Sequence, residues 1–351
     1  MKLKDFDYFL PEELIAQTPI EPRDHSKLLI LNKESGEIQD KHFYDILENL
    51  SENDVLVLNE TRTIHARLFG EIDIFPKGKK EVKPVEILLH KQISLNTWEC
   101  LGYPGKNLKI GRTIRFYDEN KNLILNGFIE KVSDMGRFIK FDISGFDFLK
   151  VIEKIGEMPL PHYITHSLEN TERYQTIYGK THGSAATPTA GLHFTNELLT
   201  NLEKKGVRIE KILLHVGVGT FKPVEVENIT EHYMHSEYIE IKQEVSERLN
   251  EYKKCGKKII AVGTTSIRTL ESFTDENGIL GYGGKETSIF IYPGYKWRFI
   301  DSLITNFHLP CSTLLMLVSS LAGTEHIKTA YQHAIENKYR FFSFGDAMWI
   351  K

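Results

Sequence analysis

The alternation of helix-like and strand-like segments between residues 196 and 336 restricts the fold more than any other feature of the sequence. Residues 196–206 and 243–256 each place apolar residues on one helical face and end at a glycine, as helices commonly do. VRIEKILLHV (207–216) and IIAVG (259–263) are apolar runs of strand length. Strands that alternate with helices pair in parallel and are covered on both faces. The sequence therefore predicts an α/β domain with a mixed, largely parallel sheet.

Further segments extend this pattern. Helices are predicted at TSIRTLESF (265–273), in the apolar run 314–321 and at EHIKTAYQHAIEN (325–337), where apolar residues recur with helical spacing. Strands are predicted at DVLVLNE (54–60) and TSIFIY (287–292). The α/β pattern thus occurs near the N-terminus as well as throughout the second half of the chain.

A block of different character, about residues 68–143, separates these two parts. Its short β-type runs are divided by Gly, Asn, Asp and Lys turns, with no amphipathic helix among them, which is typical of a small antiparallel barrel or sandwich. Domains are commonly inserted at surface loops whose two ends lie close together. We therefore predict an α/β catalytic domain formed by residues 1–67 and 149–351, with an antiparallel β-barrel domain, residues 68–148, inserted into it.

Composition narrows the class of protein. The 351 residues carry a net charge of −4, 41% are hydrophobic and 26% are charged, which is usual for a soluble globular protein. The N-terminus lacks a signal-peptide core, and the longest apolar run is about half of a membrane span. The three cysteines, Cys100, Cys255 and Cys311, are widely separated and indicate neither a disulfide framework nor a thiolate zinc site. We expect a cytoplasmic protein without a membrane anchor or an obligate protein partner.

The charge is unevenly distributed along the chain. Residues 76–115 contain nine Lys or Arg residues, at positions 77, 79, 80, 83, 91, 106, 109, 112 and 115, against acids at 81, 86 and 99. A solvated basic surface and a surface that binds nucleic-acid phosphates both fit this stretch.

Small and polar residues follow several of the predicted strands. In open α/β sheets, ligands bind beyond the carboxyl ends of the strands. His215 ends one strand and is followed by Gly217 and Gly219, while Gly263 leads into Thr264, Thr265 and Arg268 at a helix start. The second arrangement is suited to a carboxylate or phosphate, although ordinary helix capping also accounts for it.

Histidines supply the remaining candidates for chemistry. His232 and His235 are flanked by Glu231 and Glu237, a spacing that could place both imidazoles on one helical face. Without an HExxH frame or an evident third ligand, acid/base chemistry is favoured over metal binding. His193 lies near the end of GSAATPTAGLHFT (183–195), whose small residues predict an ordered loop that a bulky substrate can approach closely.

Signatures of several common enzyme classes are absent from the sequence. It contains no GxSxG, Walker A, GxGxxG or protein-kinase set, which disfavours serine hydrolases, P-loop proteins and classical dehydrogenases.

Long segments in a fixed order carry a resemblance to a known family. They are residues 10–31, 54–70, 156–164, 172–179, 188–195 (PTAGLHFT), 214–224 (LHVGVGTFKPV), 231–237 (EHYMHSE), 261–272 (AVGTTSIRTLES), 290–295 (FIYPGY), 305–323 and 339–348 (YRFFSFGDAM). With these segments the chain resembles the S-adenosylmethionine:tRNA ribosyltransferase-isomerases of queuosine biosynthesis. Glu60, His65 and Thr187 depart from the usual family pattern, but none of them is a residue to which we assign chemistry.

The resemblance implies a fold, a reaction and two substrates. The fold is an α/β domain with a β-barrel domain. The reaction moves the ribosyl part of S-adenosylmethionine onto 7-aminomethyl-7-deazaguanine at the tRNA wobble position and isomerises it, giving epoxyqueuosine-tRNA, adenine and methionine. S-adenosylmethionine is consumed as a substrate, and neither a cofactor nor a metal is implied. An S-adenosylmethionine-dependent RNA methyltransferase and a non-catalytic RNA-binding module remain the alternatives.

We combine the residue patterns and the resemblance into site predictions. Proton transfer is assigned, with individual roles left open, to His193, His215, Glu231, His232 and His235. Substrate binding is assigned to Thr189, Gly191, Gly217, Gly219, Thr220, Gly263, Thr264, Thr265, Arg268, Asn306, His308 and Asp346. Contacts to tRNA are assigned to Arg62, Lys77, Lys79, Lys80, Lys83, Lys106 and Arg112.

Overall fold

The computed structural model describes residues 1–133, 136–217 and 224–351. The chain divides into two compact units. The α/β unit comprises Met1–Thr61, His162–Thr181 and Thr187–Lys351, and the barrel unit comprises Arg62–Pro161 and His182–Ala186. The sequence-based limits of the inserted domain, 68 and 148, fall inside the barrel unit.

The regular elements have the following bounds. The strands are β1 Lys27–Leu31, β2 Ile38–His42, β3 Asp54–Asn59, β4 Thr61–Thr63, β5 Arg67–Ile74, β6 Glu81–Gln92, β7 Thr97–Tyr103, β8 Thr113–Tyr117, β9 Leu123–Val132, β10 Arg137–Phe141, β11 Thr181–Ser184, β12 Arg208–Leu214, β13 Glu237–Ile241, β14 Lys258–Val262, β15 Gly283–Thr287, β16 Ser302–Asn306 and β17 Ala347–Ile350. The helices are α1 Ile46–Asn49, α2 Gly145–Ile155, α3 Asn196–Lys204, α4 Gln243–Lys254, α5 Thr264–Phe273, α6 Thr313–Ala322 and α7 Thr324–Glu336.

A mixed sheet forms the centre of the α/β unit. Within the described ranges it has nine strands in the order β15-β13-β12-β3-β14-β16-β17-β1-β2. The four central strands, β12, β3, β14 and β16, are mutually parallel. Antiparallel pairs flank them, since β13 runs against β12 and β17 runs against β16. The predicted fold class is confirmed, with the parallel part concentrated at the centre of the sheet.

Alternating residues of the central strands supply two separate hydrophobic cores. Val55 and Val57 of β3 belong to one core, which includes apolar residues of α4, α5, α6 and α7. Leu56 and Leu58 belong to the other, which includes apolar residues of α1 and α3. Strands that are buried on both faces read as continuous apolar runs, and this is why DVLVLN is buried along its whole length.

Local signals explain where the helices begin and end. The Thr195 hydroxyl caps α3 by accepting a hydrogen bond from the amide of Leu198, and the Ser312 hydroxyl caps α6 in the same way. Gly206 and Gly256, just beyond α3 and α4, have φ values of 94° and 76°, a backbone region that favours glycine. The helices predicted for these segments are confirmed.

The barrel unit contains a closed antiparallel barrel with the strand order β10-β7-β6-β5-β8-β9. The short β-type runs of the β-rich block form the strands of this barrel, and the run LILNGFIEKV (123–132) is β9. Helix α2 belongs to this unit. Its Phe148 packs against Phe141 of β10 and Trp98 of β7, which explains why the compact unit continues beyond residue 148.

One strand prediction was wrong. TSIFIY (287–292) was expected to form a strand, but β15 ends at Thr287 and residues 288–292 have no regular structure. The strand is instead formed by GGKET, which pairs antiparallel with β13 at the edge of the sheet. Pairing with a neighbouring strand has overridden the local β propensity here.

Candidate active site

One edge of the mixed sheet collects most of the predicted site residues. The parallel strands β12, β3, β14 and β16 all end there, and the antiparallel strands β13 and β17 begin there. His215, Gly263 and Asn306 consequently lie at this edge, each at the end of a different strand. Glu237, the first residue of β13, lies there as well. We call this region the catalytic edge.

Asn59, the last residue of β3, ties two strand ends together at the catalytic edge. Its side-chain oxygen accepts hydrogen bonds from the amides of Leu214 and Thr61, and its side-chain nitrogen donates to the Leu214 carbonyl. Asn59 is almost fully buried, so these bonds form in surroundings where an unpaired amide would be costly. They fix the backbone that carries Thr61 and His215.

His215 is held by Thr61. Its Nδ1 lies 2.8 Å from the Thr61 hydroxyl, which is itself 3.5 Å from the Thr181 carbonyl. When Thr61 donates to that carbonyl, Nδ1 of His215 carries the ring proton and Nε2 presents its lone pair. No hydrogen bond of Nε2 occurs within the described residues. Burial lowers the pKa of His215 to about 4, against the opposing charge of Glu240. The ring is therefore neutral at pH 7, the protonation state that a general base requires.

His193 lies in a different environment, a buried chain of hydrogen bonds. Its Nδ1 is 2.7 Å from the Ser26 hydroxyl, and its Nε2 is 3.1 Å from Nδ2 of Asn306. The Asn306 amide donates to Nε2, and Thr189 in turn donates to Oδ1 of Asn306 at 2.9 Å. The ring also stacks on Phe43, with centroids 5.0 Å apart. Both ring nitrogens are thus occupied by neighbouring side chains.

Burial, with smaller contributions from the charges of Arg340 and Arg23, lowers the pKa of His193 to about 3. The imidazole stays neutral at pH 7. Gly191, in the same 3-10 turn Thr189–His193, must remain a glycine because a Cβ would collide with the Tyr178 hydroxyl. The small residues of this loop therefore allow close packing between parts of the protein itself.

Glu237 and Arg268 form a buried ion pair through Oε2 and Nη1. The other carboxylate oxygen of Glu237 accepts the amide of Gly217 at 3.0 Å and lies 3.4 Å from Nε2 of His235. Burial alone would raise the pKa of Glu237, but the charge of Arg268 and the contacts with His235 and Gly217 outweigh it and lower the pKa to about 2. Glu237 is therefore ionised at pH 7 and positions Arg268.

Arg268 retains hydrogen-bonding capacity after this pairing. Its Nε and Nη2 are buried and have no partner within the described residues, and the same holds for the hydroxyl of Thr265. Both residues lie in α5, which starts at Thr264 directly after Gly263. Gly263 has φ 84°, a region that favours glycine. Unsatisfied buried donors beside a helix N-terminus are a suitable environment for an anion.

The other acid/base candidates lie in residues 229–236. Glu231 ends a short 3-10 turn and is exposed. The ring of His232 contacts Phe290 with centroids 5.4 Å apart. Residues 232–236 form no helix, so His232 and His235 do not share the helical face that their spacing suggested. His235 contacts the carboxylate of Glu237.

His308 and Asp346 are buried and bonded within the protein. Nε2 of His308 lies 3.0 Å from the Thr305 hydroxyl, and burial lowers the pKa of His308 to about 3. Asp346 accepts hydrogen bonds from the amides of Lys27 and Arg340 at 3.0 and 2.7 Å. These contacts connect the C-terminal segment to β1. Gly219 and Thr220, predicted to bind substrate, lie outside the described residues.

Two further observations concern cofactors and membranes. In the ranges 1–133, 136–217 and 224–351, no group of three His, Cys, Asp or Glu side chains is placed to hold a metal ion. No helix in those ranges is long and apolar enough to span a bilayer.

Comparison with known proteins identifies the family. A family model described as "Queuosine biosynthesis protein" matches residues 3–350. The chain belongs to the queuosine biosynthesis proteins. It is also similar to a crystal structure of S-adenosylmethionine tRNA ribosyltransferase from Thermotoga maritima, at 35% identity over 99% of this chain and 100% of that chain, with a TM-score of 0.55. The family resemblance recognised in the sequence is confirmed.

In this queuosine biosynthesis protein, the residues predicted to contact tRNA lie in the barrel unit. Since β5 is antiparallel to β6 and β8, and β6 to β7, the β5–β6 hairpin and the β7–β8 connection lie at the same end of the barrel. The first carries Lys77, Lys79, Lys80 and Lys83, and the second carries Lys106 and Arg112. Arg62 lies elsewhere, in β4.

Four residues of the catalytic edge escaped the sequence predictions: Ser26, Asn59, Thr61 and Glu237. Ser26, Thr61 and Glu237 each hold another side chain, and Asn59 holds the backbone at two strand ends. Ser26 lies 167 positions from its partner His193, and Thr61 lies 154 positions from His215. Only Glu237 gave a signal, as an acid beside His235 in the sequence. Its pairing with Arg268, 31 positions away, depends on the packing of α5 beside β13.

Proposed function

We propose that the protein transfers the ribosyl part of S-adenosylmethionine to 7-aminomethyl-7-deazaguanine at the wobble position of tRNA and isomerises it to the epoxycyclopentanediol, releasing adenine and methionine. The observation that carries this proposal is the 35% identity, over 99% of the chain, to an S-adenosylmethionine tRNA ribosyltransferase. S-adenosylmethionine is a substrate here, and the reaction requires no further cofactor. We place the reaction in the cytoplasm, a reducing compartment that fits three widely separated cysteines without a disulfide framework.

The chemistry requires a base close to the ribose C5′. The sulfonium acidifies the protons on that carbon, and removing one of them generates a carbon nucleophile that can close the carbocycle. His215 suits this step because its ring is neutral at pH 7, its Nδ1 is fixed by Thr61 and its Nε2 is free of partners within the described residues. We assign His215 as the general base.

The methionine portion requires a site for a carboxylate. Arg268 offers two buried nitrogens without a partner in the described part of the chain, and its third is fixed by Glu237. A guanidinium held by one carboxylate can still donate two N–H groups to another. We assign the methionine carboxylate to Arg268 and to the start of α5, with Glu237 as a positioning residue.

His193 has a positioning role in this scheme. Its ring nitrogens are occupied by Ser26 and Asn306, and its pKa of about 3 excludes an imidazolium acid at neutral pH. The ring fixes Asn306, which in turn accepts the hydroxyl of Thr189. Asn306 and Thr189 thereby gain defined positions at the catalytic edge.

RNA methyltransfer, the alternative reaction, is not supported. A methyltransferase of the doubly wound type needs a glycine-rich loop after its first strand, whereas Glu60 and Thr61 follow β3. The similar crystal structure is of a ribosyltransferase.

Product analysis tests the proposal. We expect the protein, incubated with S-adenosylmethionine and tRNA carrying 7-aminomethyl-7-deazaguanine, to release adenine and methionine in equal amounts, as measured by liquid chromatography. The same tRNA with an unmodified guanine at the wobble position is the control and should give neither product. Formation of S-adenosylhomocysteine would assign the protein to the methyltransferases instead.

We further propose that the basic end of the barrel contacts tRNA phosphates. Lys77 and Lys79 are exposed and make no ion pair with any described residue, whereas Lys80 and Lys83 already face Asp73 and Glu81 at 2.8 and 2.9 Å. Uncompensated lysines at a hairpin tip attract phosphates more strongly than lysines that are paired with acids.

Charge neutralisation at the hairpin should alter the salt dependence of tRNA binding. Replacing Lys77, Lys79, Lys80 and Lys83 with glutamine should weaken binding and flatten the slope of log K against log salt by about 1 to 2. The Lys77→Gln/Lys79→Gln variant should account for most of this change, and the Lys80→Gln/Lys83→Gln variant for little. An unchanged slope in the four-lysine variant would refute the contact.

A further inference from the structure

An open cavity in the α/β unit, continuous with solvent, lies beside the His193 cluster and has no role in the scheme above. Its lining comes from four parts of the chain, namely Pro19, Ile20, Arg23, Arg173, Leu192, His193, Ser343, Phe344 and Gly345. All four parts belong to segments that carry the family resemblance, residues 10–31, 172–179, 188–195 and 339–348.

Arg23 is fixed in the cavity wall by neutral partners. Its guanidinium donates to the carbonyls of Gln175 and Glu172 at 2.8 and 2.9 Å, and to that of Leu192 at 3.4 Å. Within the described residues it forms no ion pair with a carboxylate. Burial, together with the nearby charge of Arg173, lowers the pKa of Arg23 to about 10. Arg23 nevertheless stays charged at pH 7, and the carboxylates of Glu21 and Glu172 offset only part of its charge, from outside ion-pair distance.

Arg173 adds a second positive charge. It donates to the Ile20 carbonyl at 2.7 Å and pairs with Glu21 at 2.8 Å. The side chain of Arg173 is only 16% exposed, whereas that of Glu21 is 72% exposed, so the carboxylate is largely solvated and easily displaced. Two guanidiniums of like charge are held near each other at a cost, which an anion between them would offset.

The remaining lining adds no negative charge. Among the described lining residues there is no Asp or Glu; Pro19, Ile20, Leu192 and Phe344 are apolar, and Ser343 contributes a hydroxyl. The His193 ring is neutral, because both its nitrogens are bonded to side chains and burial lowers its pKa to about 3. The cavity therefore attracts anions.

The charge balance distinguishes between two sources of such an anion. The carboxylate of S-adenosylmethionine is joined to an ammonium group and is followed by a sulfonium, and a cavity lined by Arg23 and Arg173 but by no acid offers neither cation a partner. A phosphodiester carries a negative charge with no attached cation, and arginine is the residue best suited to bind it. The phosphodiester fits this cavity better.

We propose that Arg23 and Arg173 form a subsite that binds a backbone phosphodiester of the RNA substrate beside the catalytic edge. This inference rests on the proposed function, because it takes tRNA as the substrate. Under this proposal the α/β unit also contacts an RNA phosphate, in addition to the phosphates contacted by the lysines of the barrel unit.

Binding measurements with an anticodon stem-loop RNA test the subsite. Arg173→Gln should raise the Kd for this RNA about tenfold and reduce the salt slope by about one. Arg173→Lys should retain the slope, because it keeps the charge. The Kd for S-adenosylmethionine, measured separately by calorimetry, should change less than twofold. Arg23→Gln and Arg23→Lys test Arg23 by the same comparison of Kd and salt slope. Thermal unfolding of each variant shows whether it is still folded.

A modified RNA identifies the phosphate directly. A single neutral methylphosphonate linkage, moved through the anticodon loop, should weaken binding to the unaltered protein at one position and have little effect there on the Arg173→Gln variant. The proposal fails if RNA affinity and slope are unchanged in Arg173→Gln, or if S-adenosylmethionine affinity falls instead, which would assign the cavity to the methionine carboxylate. These measurements need no turnover, so their outcome is independent of the adenine-release assay.

Discussion

Replacing His215 with glutamine is expected to reduce turnover by about 10²- to 10⁴-fold while leaving the fold intact. Glutamine can still contact Thr61 but cannot accept a proton at neutral pH. The loss should appear in kcat for adenine release, with little change in KM for S-adenosylmethionine. His333→Gln is the matched control: this histidine lies in α7 and pairs with Asp40 on the surface, and its replacement should leave kcat unchanged.

The pH profile gives an independent test of the same assignment. The pKa of His215 is lowered to about 4, so its neutral form is present throughout the range above that value. We expect the titration of His215 to cause no loss of kcat/KM between pH 8 and about pH 5. As the pH approaches 4, kcat/KM should fall. A base with the usual histidine pKa of about 6.5 would lose activity two units earlier. Near-normal turnover in His215→Gln would exclude His215 as the base.

Replacing Glu237 with glutamine is expected to lower the free energy of unfolding by about 3–5 kcal/mol, because it leaves the charge of Arg268 buried without its partner. Urea denaturation measures this change. Glu210→Gln is the control, since Glu210 pairs with Arg248, whose side chain is 47% exposed, and a pair so exposed contributes at most about 1 kcal/mol. The double replacement Glu237→Leu/Arg268→Met removes both charges and should recover much of the lost stability.

The pH dependence of stability follows from the same carboxylate. The pKa of Glu237 is lowered to about 2 in the folded protein, whereas an unperturbed glutamate titrates at about 4.3. Between these values the unfolded chain binds more protons, so stability falls as the pH is lowered through this window and is fully present above it. The difference in stability between the unaltered protein and Glu237→Gln should therefore shrink below about pH 4. Equal losses in Glu237→Gln and Glu210→Gln would contradict a buried pair.

Periodicity and composition were sufficient to predict much of the fold. The helical spacing of apolar residues identified α4 and α7, and the turn-separated β runs identified the barrel strands, because in these segments local pattern and tertiary burial agree. TSIFIY failed, since the pairing partner of β13 is the polar GGKET, which carries no apolar signal of its own. Helix α2 escaped notice at the boundary of the β-rich block.

The catalytic edge was only partly predictable. The rule that ligands bind beyond strand ends selected His215 and Gly263, and the structure brings these strand ends to one edge. It did not reveal which histidine has a nitrogen available. That difference arises from contacts between residues distant in sequence. His193 is bonded by Ser26 and Asn306, whereas His215 is bonded by Thr61. The sequence also suggested that Arg268 is free to bind an anion. In the structure, Glu237 holds one of its three nitrogens, and the other two have no partner among the described residues.

The fate of the ribose tests the central claim most directly. Two parallel reactions would contain the protein, tRNA with 7-aminomethyl-7-deazaguanine at the wobble position and S-adenosylmethionine labelled with ¹⁴C either in the ribose or in the methyl group. We predict that the ribose label enters the tRNA and that the methyl label leaves with methionine. Methyl label in the tRNA, with the ribose label remaining on the released nucleoside, would contradict ribosyl transfer.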